Sequence, residues 1–136
     1  MNPLRLCLRM TAATLLVATA PAWADSSACM KNAATQIAMD ECAGRDLKAA
    51  DQTLNDTYRT LLGKVSKDGA EQLRKAQRSW LAWRDAQCEF DTMATRGGSI
   101  HSMEYAMCVE KLTEAQTAHL QAQLHCKEGD VSCGGQ

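Results

Sequence analysis

The stretch MDECAGRDLKAADQTLNDTYRTLLGKV, Met39 to Val65, decides the fold. Apolar or small residues recur at Met39, Ala43, Leu47, Ala50, Leu54, Tyr58, Leu61 and Val65, at spacings of 4, 4, 3, 4, 4, 3 and 4. This is the stripe of an amphipathic helix, not the alternation of a strand. The other faces carry Asp40, Arg45, Asp46, Lys48, Asp51 and Arg59, as a solvated side should. The spacing predicts a first helix over residues 33–65.

Downstream, Ser66-Lys67-Asp68-Gly69 reads as a turn, with Asp68 expected to cap the next helix and Glu71 to complete a capping-box-like pair. A second stripe follows at Leu73, Ala76, Trp80, Trp83, Gln87 and Phe90. Thr95-Arg96-Gly97-Gly98-Ser99 breaks it, because paired glycines disfavour helix. Ser99 or Ser102 is expected to cap a third helix bearing Tyr105, Cys108, Val109, Leu112, Ala115, His119 and Leu120 and ending near Cys126. Short turns make long helices antiparallel neighbours. The expected fold is all-α, an antiparallel three-helix bundle stapled by disulfides, with Leu54, Tyr58, Trp80, Trp83, Phe90 and Leu112 in its core. Residues 127–136 form a polar, Gly-rich tail, and no repeat or linker divides the chain.

Upstream, Arg5 and Arg9 precede the apolar run TAATLLVATA, Thr11 to Ala20, and Ala22-Trp23-Ala24 has the small-x-small form of a cleavage site. Residues 1–24 read as a cleaved secretory signal of bacterial type. The run is too short for a mature membrane span. Cys7 lacks the small-residue setting of a lipoprotein box, so no membrane anchor is expected. The expected location is the periplasm or outside the cell.

Removing 24 of the 136 residues leaves 112, with 13 of the 15 basic and all 16 acidic residues, a formal charge of −3. Both prolines, Pro3 and Pro21, leave with the signal. This length makes one domain, over residues 25–126, with a modest core. The mild acidity and the lack of a basic stripe argue against nucleic acid. They are compatible with a basic protein partner. The sequence does not give an oligomeric state.

Six cysteines remain in an oxidising compartment: Cys29, Cys42, Cys88, Cys108, Cys126 and Cys133. Disulfides are their default state, and sequence alone leaves many connectivities. Antiparallel helices gather the first four at one end and the last two at the other. Cys88–Cys108 across the Gly-Gly hairpin, Cys29–Cys42 and Cys126–Cys133 are favoured, with crossed pairings among the first four open. Each bridge is worth about 2–4 kcal/mol.

The stretch AQRSWLAWRDAQCEF, Ala76 to Phe90, concentrates unusual side chains. Trp80 and Trp83 share the stripe of Leu73, Ala76 and Phe90 and so read as core rather than as a ligand platform. Their indole N–H groups need partners, such as Asp51, Asn55 or Gln77. Arg84 lies off the centre of the stripe. It either reaches a carboxylate on the first helix, for instance Asp51, or is solvated.

Within this stretch, QRSWLAWRDAQC resembles the motif of the lysozyme inhibitor LprI-like N-terminal domain family, small exported bacterial proteins. TQIAMDECA (35–43), AADQTLNDTY (49–58) and GGSIHSMEYAMCVEKLTEAQTAHL (97–120) resemble its other passages in order and spacing. Gln116 stands where an arginine is expected in the Leu-Thr-x-x-Arg context, which puts in doubt any ion pair made there in relatives. The resemblance implies an all-helical, disulfide-bonded envelope domain. It also implies inhibition of lysozyme, the activity that names the family, and it supplies no site residue.

Catalytic motifs are lacking: there is no phosphate loop, nucleophile elbow or HExxH. An even cysteine count leaves no thiol for a Cys–His nucleophile. His119, His125, Cys126 and Cys133 match no zinc spacing, and a disulfide would remove two of the ligands. The carboxylates follow helix surfaces rather than pairing for glycan hydrolysis. An enzyme, a metal or a cofactor is therefore not expected. The candidate contact surface is the tip formed by Arg96, Gly97, Gly98, Ser99 and His101, with Ile100 between them. Its glycines allow close approach and its side chains donate hydrogen bonds, although the same residues are what a turn requires. Two functions fit: a periplasmic inhibitor that occludes the cleft of a lysozyme or other muramidase, or an envelope structural or adaptor module with another protein partner.

Overall fold

The computed structural model describes residues 23–127, 129–131 and 133, so residues 1–22 of the expected signal lie outside the described residues. The described chain is all-helical: α1 (Trp23–Asn32), α2 (Gln36–Leu62), α3 (Lys67–Asp91), a 3-10 turn (Met93–Thr95) and α4 (His101–Leu124), with no strand among the described residues. The three expected helices correspond to α2, α3 and α4. The segment before them, which has no apolar stripe to announce a helix, forms α1. Cys29 on α1 and Cys42 on α2 are joined, with Cα atoms 5.8 Å apart.

Side-chain caps open α2 and α3, though not always at the expected residue. The Thr35 hydroxyl accepts from the Ala38 N–H at 3.2 Å and opens α2. Ser66, not Asp68, caps α3 by accepting from the Gly69 N–H at 3.1 Å, and Asp68 sits in the first turn. A helix beginning two residues earlier takes Asp68 out of the extended backbone a cap requires. Neither Ser99 nor Ser102 caps α4: its boundary residue is Ile100, with no side-chain cap.

The apolar centre is Leu54 and Leu61 of α2 with Leu120 of α4, against which Tyr58, Val65, Leu73, Trp80 and Leu124 pack. α2 packs most extensively on α4, α3 mainly on α4, and α1 on α2. Gln36 of α2 reaches Met103 near the start of α4, whereas Cys88, Arg84 and Gln77 of α3 meet Cys108, Thr113 and Gln116 in turn. The α4 face is partly polar. Its buried residues are Val109, Thr113, Thr117 and Leu120, while Ala115 and His119 are exposed. The Thr117 hydroxyl donates to the Thr113 carbonyl at 2.9 Å, and on α2 Thr57 donates to Thr53 at 2.8 Å. Bonding to the preceding turn satisfies these hydroxyls and lets threonine occupy core positions. Leu112 is half-buried.

On α3 the buried line runs through Ala70, Gln77, Arg84 and Cys88, with Leu73 and Trp80 half-buried. Trp83 is 50% exposed and Phe90 69% exposed, so the two expected core aromatics are on the surface. The stripe drawn through apolar residues is displaced from the true one because Gln77 and Arg84 bring their own partners inward. Gln116 donates to Gln77 at 3.4 Å, so the position expected to hold arginine makes an amide contact here.

Glu110 of α4 is half-buried, and its carboxyl is pushed above the ordinary carboxylate value of 4.5, first by burial and then by Glu114 and Asp46. Between the ordinary and raised values the folded chain keeps a proton that the unfolded chain has lost. Stability therefore falls as pH rises through that window, and the penalty is complete above it. Glu110→Gln is expected to raise the thermal midpoint at neutral pH and leave it unchanged in strong acid. A variant that melts no higher than the parent at neutral pH would refute this.

Candidate partner-binding site

The expected tip follows directly from the end of α3. The Thr92 backbone N–H and hydroxyl both donate to the Cys88 carbonyl, at 3.1 and 2.7 Å, and close the helix. Thr95 donates to the Thr92 carbonyl at 2.9 Å and lies 3.1 Å from His101 Nδ1. With its only proton spent on Thr92, the hydroxyl accepts, so Nδ1 carries the hydrogen. Gly97 has φ +81, a left-handed conformation that favours glycine. A Cβ at Gly98 would meet the Thr95 carbonyl at 3.1 Å, and the Gly98 N–H donates to that same oxygen at 2.9 Å. The His101 N–H returns to the Gly98 carbonyl at 3.3 Å. Cys88 and Cys108 are joined beneath the tip, with Cα atoms 5.7 Å apart.

The geometry brings Arg96, Gly97, Gly98, Ser99 and His101 into one braced turn, with the first four exposed and His101 half-buried. Arg96 is already engaged by Glu89 at 2.9 Å. Both side chains of that pair are more than half exposed, so it is weak and exchangeable. Arg96 can be handed to another carboxylate at little cost.

Behind the tip, α3 is clamped by Arg84. One terminal nitrogen (Nη1) donates to Asp51 of α2 at 3.1 Å and to the Thr113 hydroxyl of α4 at 3.0 Å. Nε donates to Asp85 at 2.9 Å, and the guanidinium carbon lies 5.3 Å from the centre of the Trp80 ring. Of the two outcomes the sequence left open for Arg84, the structure has the ion pair with Asp51. Burial and the carboxylates of Asp85 and Glu89 push the nearby Tyr105 hydroxyl above its usual range, so it stays protonated at neutral pH.

Sequence reasoning missed the apolar surface beside the tip: Trp83, Phe90, Met93 and Ile100 are all exposed. The available signal was the competing stripe through Gln77, Arg84 and Cys88, which turns Trp83 and Phe90 outward. Cys126 and Cys133, two members of the zinc set considered from sequence, are joined to each other, with Cα atoms 5.7 Å apart. No group of three or more His, Cys, Asp or Glu among the described residues is arranged to hold a metal ion.

The model of the family described as "Lysozyme inhibitor LprI" matches residues 27–120, which contain α2, α3, the tip and most of α4. The chain belongs to the LprI family. The LprI description names inhibitors of an enzyme, not enzymes. An uncharacterized protein of Rhizobium meliloti (strain 1021) is 38% identical over 129 residues, covering 84% of this chain and 92% of its own length. No solved structure matches the chain. Among the described residues of this LprI family member, no helix is long and apolar enough to cross a membrane.

Proposed function

We propose that this protein is an exported inhibitor of lysozyme-like muramidases that acts in the periplasm, or outside the cell, by steric occlusion of the active-site cleft. The observation that carries the reading is the LprI family match over residues 27–120. Three features support it. The leader 1–24 has the organisation of a secretory signal, and cleavage there leaves a domain over residues 25–126 followed by the tail 127–136. The formal charge of −3 after cleavage suits a basic enzyme and speeds encounter at low salt. The tip is braced from both sides, so little entropy is lost when it is held in a cleft. The order of helix contacts supports an antiparallel α2–α3–α4 bundle with α1 added alongside, which presents the tip at one end.

In this mechanism the tip enters the cleft, and Arg96 exchanges Glu89 for an enzyme carboxylate. His101 and the backbone of Gly97 and Gly98 approach the sugar-binding surface, and substrate is excluded. The test is a lysis assay with increasing amounts of the oxidised protein. Lysis should fall with dose and level off near one inhibitor per enzyme. Replacing both Arg96 and His101 with alanine should weaken inhibition roughly tenfold or more while leaving the helical signal intact. A folded double variant that inhibits like the parent moves the contact away from the tip. No inhibition by the parent at large excess, against animal-type and bacterial-type lysozymes, rejects the reading in favour of an envelope adaptor.

A further inference from the structure

Among the described residues, five of the eight exposed large apolar side chains share one segment, while Ile37, Met107 and Val131 lie apart from it. Leu81, Trp83, Phe90, Met93 and Ile100 all fall on the carboxyl half of α3 or on the connection to α4. Seven residues are nearly two helical turns, so Trp83 and Phe90 lie within about 20° of one line and about 10 Å apart along the axis. The clamp at Arg84 fixes the rotation of α3 and so holds both rings away from the core. The ion pair from Glu89 to Arg96 ties the last turns of α3 to the tip, and Phe90 is the next residue. The ridge therefore ends on the turn of α3 that Arg96 of the tip reaches.

Charge distinguishes this ridge from an unassigned apolar face. The amino half of α3 carries Lys67, Arg74, Lys75 and Arg78 against Asp68 and Glu71. The carboxyl half carries Asp85, Glu89 and Asp91, and its one cation, Arg84, is buried and engaged. Glu89 and Asp91 leave the helix about 100° to either side of Phe90. An aromatic ridge bordered by carboxylates complements an apolar recess in a basic protein surface.

We propose that Trp83 and Phe90, continued by Met93, anchor the muramidase: the two rings enter an apolar recess on a positively charged face of the enzyme, and Glu89 and Asp91 meet cations at its rim. This rests on the inhibitor reading and adds to it. The tip blocks the cleft, and the ridge supplies most of the affinity, as a few central aromatic side chains do in protein interfaces.

The test is titration calorimetry of the oxidised protein against a basic animal-type lysozyme, with thermal melts of every variant. Trp83→Ala and Phe90→Ala should each weaken binding by about 30-fold. Their melting should change little, because both rings are already exposed. Ile37→Ala and Met107→Ala, exposed apolar positions on α2 and α4, should leave affinity unchanged. Association with the parent should slow as salt is added. If the parent binds and the Trp83/Phe90 double alanine variant binds equally well, the ridge proposal is overturned and the inhibitor reading stands. If the parent neither binds nor inhibits, both fall. A parent that sediments as a dimer, with the double variant monomeric, assigns the ridge to a second copy of the chain and likewise overturns the proposal.

Discussion

Arg84→Ala is expected to destabilise the fold by about 3 kcal/mol, near the lower end of what removing one partner of a buried ion pair costs. The guanidinium touches α2, α4 and its own helix together, through Asp51, Thr113 and Asp85. Its residue is 9% exposed. Truncation leaves a void beside Trp80 and removes the donor to the buried Thr113 hydroxyl. Asp51 has a side chain 43% exposed and can be solvated when abandoned, which keeps the loss from being larger. For a chain of this size the thermal midpoint should drop on the order of 10–20 °C. Arg84→Met fills the void without the charge and should cost less. Asp51→Asn leaves Arg84 with Asp85 and Thr113 and should cost at most about 1 kcal/mol. Urea denaturation of the three variants checks the order. Equal losses for Arg84→Ala and Asp51→Asn would mean that the pair with Asp51 carries the effect and the clamp does not.

Replacing Cys88 and Cys108 together with alanine is expected to cost a similar amount. The bridge closes a separation of 20 residues, for which the chain-entropy account gives about 3 kcal/mol. Cys88 is fully buried, so a small void at its position adds to the loss. The pair also holds together the two helices that flank the tip, so under the proposed mechanism inhibition should weaken along with stability. Replacing Cys126 and Cys133 releases a separation of only 7 residues beyond α4 and should change the melting of the helical body much less. Parallel melts of the two double variants, without reductant, test this order. A body that loses more from the tail bridge than from Cys88–Cys108 would overturn it.

These two predictions rest on side chains that the sequence presents unequally. The α2 stripe through Ala43, Leu54 and Leu61 is legible because its buried positions are apolar or small, and the structure buries those three. On α3 the same rule picks the wrong line. Periodicity records where apolar residues recur, whereas burial records which side chains can be satisfied inside. Gln77 and Arg84 are satisfied by Gln116, Asp51 and Thr113, all remote in sequence. A partner more than 25 residues away leaves no local mark. Threonine misleads on α4 for a related reason, since its bond to the preceding turn is invisible in a hydropathy pattern.

The tip was legible as a place and not as a geometry. Paired glycines mark the break between α3 and α4, and the left-handed Gly97 sits within it. The contact of Thr95 with His101 and the hold of Glu89 on Arg96 depend on how the chain returns upon itself. The apolar ridge beside the tip was hidden by the same misplaced stripe that put Trp83 and Phe90 in the core.

Threonine in the place of larger aliphatic side chains also shapes how this protein responds to temperature. Unfolding hydrates whatever the core held, and apolar groups raise the heat capacity while polar groups lower it. Thr57, Thr113 and Thr117 bring hydroxyls into the packed region between α2 and α4, and Thr113 is fully buried. Their exposure offsets part of the rise produced by Leu54, Leu61 and Leu120. The heat-capacity increment is therefore smaller than that of an aliphatic interface of equal area, and the curve of free energy against temperature is flatter. Such a protein has a broad plateau of stability, losing little on cooling as well as on warming.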